Sequence, residues 1–297
     1  MSEREHWLAV ARSTPLGIVT DLDGTLVPFA ATPDQARPGP EVLGVLRELV
    51  GSEGVTVAVV SGRPREALDR FFSDCPGLLL VAEHGGWRRD RGAWQPAIEA
   101  EQDEVESLHR VLTALVETYP GAVVERKTWS VAFHVRAISP VERNAAVVEV
   151  DSVIAAWLAQ HRGFALLRGA MVLEVRPARM VKGRAVEWVR DRVGSGGRLL
   201  ALGDDITDED TFAQLGGQDE AVLVSGDSGR PSAAGWQLDG PAEAMGLLRW
   251  VIAMRRGEPV AEETVHLPRR RQRAPRPQEG AARFRLLVVS NRLPELR

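Results

Sequence analysis

Asp21 and Asp23 stand two residues apart in the stretch Asp21-Leu22-Asp23-Gly24-Thr25. They follow Leu16-Gly17-Ile18-Val19-Thr20, which reads as a short buried strand. Two carboxylates leaving a strand end together reach the crevice where ligands bind in open α/β sheets. One carboxylate can attack phosphorus while the other handles protons. Gly24 permits the sharp turn that follows. Taken alone, Asp-x-Asp-Gly is equally an acidic turn ending a strand. A calcium loop also begins this way, but Thr25-Leu26-Val27 stands where such a loop needs more oxygen ligands.

Three further segments complete a constellation. Ser61-Gly62-Arg63 ends the apolar run Val55 to Val60 and supplies a hydroxyl, an exposed backbone N–H and a helix start at Pro64, an arrangement that binds phosphate oxygen. Alone, Ser61 is equally an ordinary helix cap. Lys182 precedes Gly183 and a helix; alone it is a solvated lysine. Gly203-Asp204-Asp205-Ile206-Thr207-Asp208-Glu209-Asp210 ends another strand. Thr207 suits a helix cap with acids in the first turn, which accounts for Glu209 and Asp210 but not for Asp204 and Asp205. Carboxylates facing a phosphate dianion repel it without a cation, and oxygen-only ligands indicate Mg²⁺.

The chemistry this implies has Asp21 attacking phosphorus in line and forming an aspartyl-phosphate. Asp23 protonates the leaving alcohol and then activates water. Ser61 and Lys182 hold the equatorial oxygens. The Asp21 carboxylate, the Asp23 main-chain oxygen and Asp204 hold Mg²⁺, with Asp208 completing the metal set.

The elements that must position these residues alternate. Ile18–Thr20 and Val55–Val60 read as strands, Glu41–Val50 as a helix between them, and Leu78–Ala82 as a third strand after the helix at Pro64. This order predicts a parallel sheet with helices on both faces. From Trp87 the pattern changes to two long helices, Ala100–Tyr119 and Val141–Gln160, and four antiparallel strands, including a hairpin around Gly169. The parallel pattern resumes near residue 181. The expected organisation is a core over 1–86 and 181–256, an inserted α+β unit over 87–180, a basic Pro-rich linker over 257–280 and a separate strand over 281–297.

The 297 residues carry a net charge of −4 and 44% hydrophobic content, enough for a sizeable core and no general field for nucleic acid or acidic membranes. The charged N-terminus has no apolar signal core, and no apolar run is long enough to span a bilayer. Cys75 is the only cysteine. A cytoplasmic protein without nucleic-acid or membrane partners is expected. The arginines of 268–277 have no aromatic residues between them, so a linker is favoured over a nucleic-acid tail. Only two of the 37 basic residues are lysine, Lys127 and Lys182, which marks two places where a compact ammonium is wanted.

In their order these four segments resemble the motifs of the haloacid dehalogenase superfamily, and within it the trehalose-6-phosphate phosphatases. Gly203-Asp204-Asp205-Ile206-Thr207-Asp208-Glu209 is similar to that family's metal motif, and Glu83-His84-Gly85 to the motif after its third strand. Glu125-Arg126-Lys127, Phe133-His134-Val135-Arg136 and Glu174-Val175-Arg176-Pro177 resemble its cap strands. The resemblance implies a Rossmann-like core with an inserted cap and a Mg²⁺-dependent hydrolysis of trehalose 6-phosphate, the final step of trehalose biosynthesis. It implies phosphate binding by Ser61, Gly62 and Lys182. It implies substrate contacts by Arg63, Glu83, His84, Glu125, Lys127, His134, Arg136 and Glu174. Salt bridging on the cap surface is the alternative for the cap residues, and hairpin core is the alternative to sugar stacking for Trp129. A related sugar phosphatase acting on sucrose phosphate or a glycosyl-glycerate phosphate, or a silent module partnering a synthase, stays open. Val288-Val289-Ser290-Asn291-Arg292-Leu293-Pro294 resembles the first strand and loop of a trehalose-6-phosphate synthase, which makes a synthase the expected partner.

Overall fold

The computed structural model describes residues 2–30, 35–99, 102–169, 171–226, 229–259 and 265–271. The expected strand over 281–297 lies outside the described residues. A helix not anticipated from the charged N-terminus, α1 (Glu3–Ala11), opens the chain; Ser2 and Glu5 close a reciprocal capping box, and Trp7, Val10 and Ala11 are buried.

The apolar runs form the expected strands. β1 (Leu16–Asp21), α2 (Pro40–Val50), β2 (Val55–Val60), α3 (Arg65–Phe72) and β3 (Leu79–Ala82) follow in turn. Pro40 opens α2 at its first turn, where a missing N–H costs nothing. Every residue of β1 is buried, as for a strand covered on both faces. β4 (Trp87–Asp90) and β5 (Ala93–Pro96) then make an antiparallel hairpin on β3. Residues 87–96, assigned from the sequence to the inserted unit, thus belong to the large sheet. Arg89 is the reason visible in the structure: buried on β4, it donates to Asp69 of α3 at 2.6 Å.

The inserted part comprises α4 (Gln102–Ala114), β6 (Val123–Arg126), β7 (Val131–His134), α5 (Pro140–Gln160), β8 (Phe164–Gly169) and β9 (Val172–Pro177). Its four-stranded sheet runs in the order β6-β7-β9-β8. Val131, Phe133, Leu173 and Val175 turn one face of it onto Leu108, Leu112, Val150 and Ile154 of the two helices. By strand alternation the opposite face is left to Glu174 and its neighbours.

The chain returns through α6 (Arg184–Val193), β10 (Arg198–Gly203), α7 (Glu209–Ala213), β11 (Glu220–Val224), β12 (Trp236–Leu238) and α8 (Pro241–Arg256). The last element among the described residues is β13 (Arg269–Arg270), antiparallel to β12. This corrects the linker expected over 257–280: residues 265–271 are strapped to the sheet, with the Trp7 Nε1–H donating to the Pro268 carbonyl at 3.1 Å and the Arg270 guanidinium 4.7 Å from the Trp236 ring centre. The nine-stranded sheet reads β13-β12-β11-β10-β1-β2-β3-β4-β5. Its strand order reverses between β1 and β10, which places a ligand crevice at their carboxyl ends. One apolar layer from α1, α2 and α8 covers one face, and a second from α6 and α7 covers the other.

Candidate active site

Strand register assembles the catalytic edge. Asp21 pairs with Val60 and Thr20 with Leu202. Asp21, Ser61 and Asp204 therefore leave three neighbouring strands at one end of the sheet. Lys182, just before α6, reaches in from the side: its Nζ donates to Asp21 Oδ1 at 2.7 Å and to Asp208 Oδ1 at 2.9 Å. Asp208, 1% exposed, accepts at its other oxygen from the Asp204 and Asp205 amides, both at 3.0 Å. This corrects the expected cap. Asp205, accepting from Ile206 N–H, and Asp208 close the turn, while Thr207 is buried. Gly24, at φ +86°, is required for closeness: a Cβ there would lie 2.2 Å from Asp204 Oδ2. Thr25 Oγ1 donates to Asp204 Oδ1 at 3.1 Å.

Charge is unbalanced at this edge. Burial raises the Asp21 carboxyl well above the usual range, only partly offset by Lys182. Burial, together with Asp208, lifts Asp204 to about 7. Burial would lower the Lys182 ammonium, but Asp208 and Asp21 outweigh it and hold the charge in place. Ligand oxygens of Asp21, Asp204 and Asp208 all lie within 4.8 Å of one another. A hard divalent cation fits this all-oxygen set, since it offsets the repulsion that one ammonium leaves uncompensated.

Asp23 is held differently. The Arg63 guanidinium grips it in a fork, Nε to Oδ2 at 2.8 Å and Nη2 to Oδ1 at 2.6 Å, while Nη2 also donates to the Ala36 carbonyl. Ser61 is buried, its hydroxyl oxygen accepting from Arg63 N–H at 3.1 Å. Gly62 lies under the His84 ring, where a Cβ would sit 2.4 Å from Nε2.

The cap closes over this edge. Lys127 Nζ donates to Glu174 Oε1 at 3.1 Å and reaches the Gly62 carbonyl at 3.4 Å. Ser130 Oγ donates to the same Glu174 oxygen at 2.6 Å, and His84 Nε2 lies 3.7 Å from Oε2. Burial would raise Glu174, but Lys127, His84 and Ser130 outweigh it and hold its carboxyl well below the usual range. Burial pulls the His84 imidazole down to about 4. Glu83 turns both carboxylate oxygens toward Thr128 of the cap. Both lysines of the chain thus stand at the cleft.

The remaining cap residues gather less closely. Glu125 and His134 pair with each other at 2.9 Å, and Glu125 shares a cross-strand row with Glu174 through Ala132. Arg136 is exposed in the turn that follows β7. Trp129 is 8% exposed and packs with Ile98, Met180 and Trp87, a small apolar cluster between the cap and the large sheet rather than the core of its own hairpin. Sequence reasoning missed the contacts of Thr25, Thr128 and Ser130. Thr25 ends the first quoted motif and Thr128 adjoins another, which was a usable signal; Ser130 had none.

An aspartate at the carboxyl end of the central strand, a lysine and two aspartates beside it, and an α+β roof define a phosphohydrolase of the haloacid dehalogenase type. The trehalose-phosphatase family profile matches residues 19–242, and the chain belongs to that family. It is 31% identical over 271 residues to trehalose 6-phosphate phosphatase RA3 of Zea mays, covering 84% of this chain and 73% of that protein. It is 34% identical over 196 residues to a bifunctional trehalose-6-phosphate synthase/phosphatase of Thermoproteus tenax, covering 66% of this chain and 26% of that protein. Among solved structures, the C-terminal domain of C. albicans trehalose-6-phosphate phosphatase superimposes with a TM-score of 0.75 at 21% identity, covering 86% of this chain and 98% of that one. A divalent metal is implied by the family and matches the carboxylate cluster. Among the described residues no helix is long and apolar enough to cross a membrane.

Proposed function

We propose that the protein is a Mg²⁺-dependent phosphatase that releases trehalose and inorganic phosphate from trehalose 6-phosphate, the final step of trehalose biosynthesis. The observation that carries this is the meeting of Asp21, Lys182, Asp204 and Asp208 under a cap whose Lys127 and Glu174 face them.

Asp21 attacks phosphorus in line, and the phosphorus–oxygen bond to the sugar breaks as the aspartyl-phosphate forms. Asp23 gives its proton to the leaving sugar oxygen. It then takes a proton from the water that hydrolyses the acyl phosphate and frees Asp21. In the present arrangement Asp23 is occupied by Arg63, so the sugar oxygen must displace part of that fork. Ser61, the Gly62 amide and Lys182 hold the equatorial oxygens, where charge spreads in the transition state. Mg²⁺ on Asp21, the Asp23 carbonyl, Asp204 and Asp208 supplies charge neutralisation and orientation when bound.

Lys127 and Glu174 offer a donor and an acceptor to the distal glucose hydroxyls, with His84 and Arg63 beside them and Glu125 and His134 farther along the cap sheet, while Glu83 is taken up by Thr128 and Arg136 stands apart. A cap sheet resting on the cleft excludes water and strengthens these contacts. The division we adopt is a core over 1–96 and 181–256 with a cap over 97–180, the boundary expected at 87 being moved past β5. We place the reaction in the cytoplasm, in keeping with a lone buried free cysteine, and take a trehalose-6-phosphate synthase as the natural partner. The Thermoproteus tenax relative is a fusion of that kind.

The test is phosphate release from trehalose 6-phosphate with and without Mg²⁺, beside sucrose 6-phosphate and glucose 6-phosphate. Fast, Mg²⁺-dependent release selective for trehalose 6-phosphate is expected. Preference for another sugar would overturn the reading of the cap, and no release from any would overturn the enzyme.

A further inference from the structure

We propose that Arg230 is a positioning residue for the cation-binding loop, and that Arg271 of the C-terminal strap holds Arg230 in place. The proposal rests on the reading of Asp21, Asp204 and Asp208 as the metal site.

Arg230 lies in the turn between β11 and β12, far from the quoted motifs. Its Nη1 donates to the Asp204 carbonyl at 2.6 Å, and its Nη2 donates to the Asp205 carbonyl at 2.9 Å and to Glu209 Oε1 at 2.9 Å. The Asp204 carbonyl and the Asp205 N–H belong to one peptide group, and that N–H donates to Asp208 Oδ2. Arg230 and Asp208 therefore grip the same peptide plane from its two ends. A peptide is rigid about its C–N bond, so fixing both ends sets the direction in which the Asp204 side chain leaves the backbone. The ladder cannot do this, because the pairing of β10 with β11 ends at Gly203. Glu209 steadies the guanidinium, its second oxygen accepting from the Ala233 amide at 2.8 Å.

Arg271 ties this turn to the strap. Its N–H donates to the Gly235 carbonyl at 3.0 Å, its Nη1 to Gln237 Oε1 at 3.0 Å, and its Nη2 to the Arg230 carbonyl. Gln237 is 3% exposed and donates in turn to the Ser225 carbonyl. The strap is itself anchored by Trp7 on Pro268 and by the pairing of β13 with β12. A line of direct contacts runs from residue 271 through residue 230 to the loop that carries Asp204.

The experiment is equilibrium Mg²⁺ binding to the full chain by calorimetry, with kcat measured across a Mg²⁺ titration, for the parent, Asp204→Asn, Arg230→Gln, Arg271→Gln and the double arginine variant. Arg230→Gln should weaken Mg²⁺ binding about tenfold, as expected for the loss of one to two charge-assisted bonds. Its kcat should recover toward the parent's value at saturating Mg²⁺. Arg271→Gln should weaken binding about threefold, and the double variant should be no weaker than Arg230→Gln, because the two act in series. Should Arg230→Gln not fold, Arg230→Lys carries the same test, since an ammonium keeps the charge without spanning two carbonyls. Arg230→Gln binding Mg²⁺ like the parent while Asp204→Asn does not would overturn the positioning role. Arg271→Gln without effect, or additive with Arg230→Gln, would overturn the link to the strap. Asp204→Asn binding like the parent would instead remove the metal-site reading, and the proposal with it.

Discussion

Glu83, at the end of β3, holds Thr128 of the cap through both carboxylate oxygens, at 3.1 Å from its amide and 3.0 Å from its hydroxyl. The bond crosses from the large sheet to the cap at the edge of the cleft. Glu83 and His84 carry φ of 49° and 54°, a left-handed conformation that non-glycine residues adopt at a cost of about 1 kcal/mol each or more. Burial raises the Glu83 carboxyl. A strained, buried acid satisfied mainly by the cap is a latch between the two parts, and it occupies the oxygens expected from the sequence to meet substrate.

Thr128→Val removes the hydroxyl and leaves one oxygen of that buried acid without its partner. We expect a loss of roughly 1–3 kcal/mol of stability. We also expect a several-fold higher KM for the sugar phosphate, with Thr128→Ser restoring both. Urea unfolding and steady-state kinetics check this; a Val variant matching the parent in both would remove the latch.

Lys127 and Glu174 form a pair whose side chains are 9% and 6% exposed. Lys127→Ala leaves Glu174 with Ser130 and His84 only, so we expect destabilisation of about 3 kcal/mol. The double variant Lys127→Met with Glu174→Gln should be more stable than that single variant, because no charge is then buried alone. In both, KM for trehalose 6-phosphate should rise while hydrolysis of a small aryl phosphate changes little. Equal effects on the two substrates would show that Lys127 does not read the sugar.

Asp21→Asn keeps the size of the side chain and removes the nucleophile. Turnover should fall by at least about a thousandfold. Folding should survive, because an amide buried beside Lys182 avoids the desolvation cost of a carboxylate. Circular dichroism with rapid-quench detection of the phosphoenzyme separates these effects, and retained turnover would rule out the covalent route.

His84 and Glu174 should each lose their contribution to the fold in acid, in two stages. Burial holds His84 at about 4, against about 6.5 when unfolded, so between those pH values the unfolded chain takes up a proton that the folded one refuses. The share of stability set by His84 is therefore full above about pH 6.5 and falls by up to about 3 kcal/mol as pH drops to 4, while Asp204, raised to about 7, works in the opposite direction over the same range. Glu174, held low by its partners, adds a second loss that begins only below about pH 4.5. His84→Gln should flatten the first stage and leave the second, which chemical denaturation at a series of pH values would resolve.

Much of this protein was legible in its residues because local pattern and chemistry agreed. Short runs such as Val55–Val60 can bury themselves only as strands, and Asp21, Ser61 and Asp204 each follow one. Once the sheet is parallel, they meet by register alone. The two lysines kept in an arginine-rich chain both stand at the cleft. What stayed illegible depends on partners distant in sequence. β4 and β5 carry no mark that they extend the large sheet rather than the cap; the Arg89–Asp69 contact settles that. The basic segment 265–271 has linker composition, yet Trp7, Trp236 and Asp239 hold it to the sheet edge. Arg230 lies in no motif, and only folding brings it behind Asp204. The sequence by itself determined the strand-end carboxylates, the lysines and the class of chemistry, since periodicity and residue type act over a few neighbours. Tertiary structure decided which side chains hold those groups in place, because hydrogen-bond partners such as Glu83 with Thr128 or Arg230 with Asp204 exist only once separate parts of the chain are packed together.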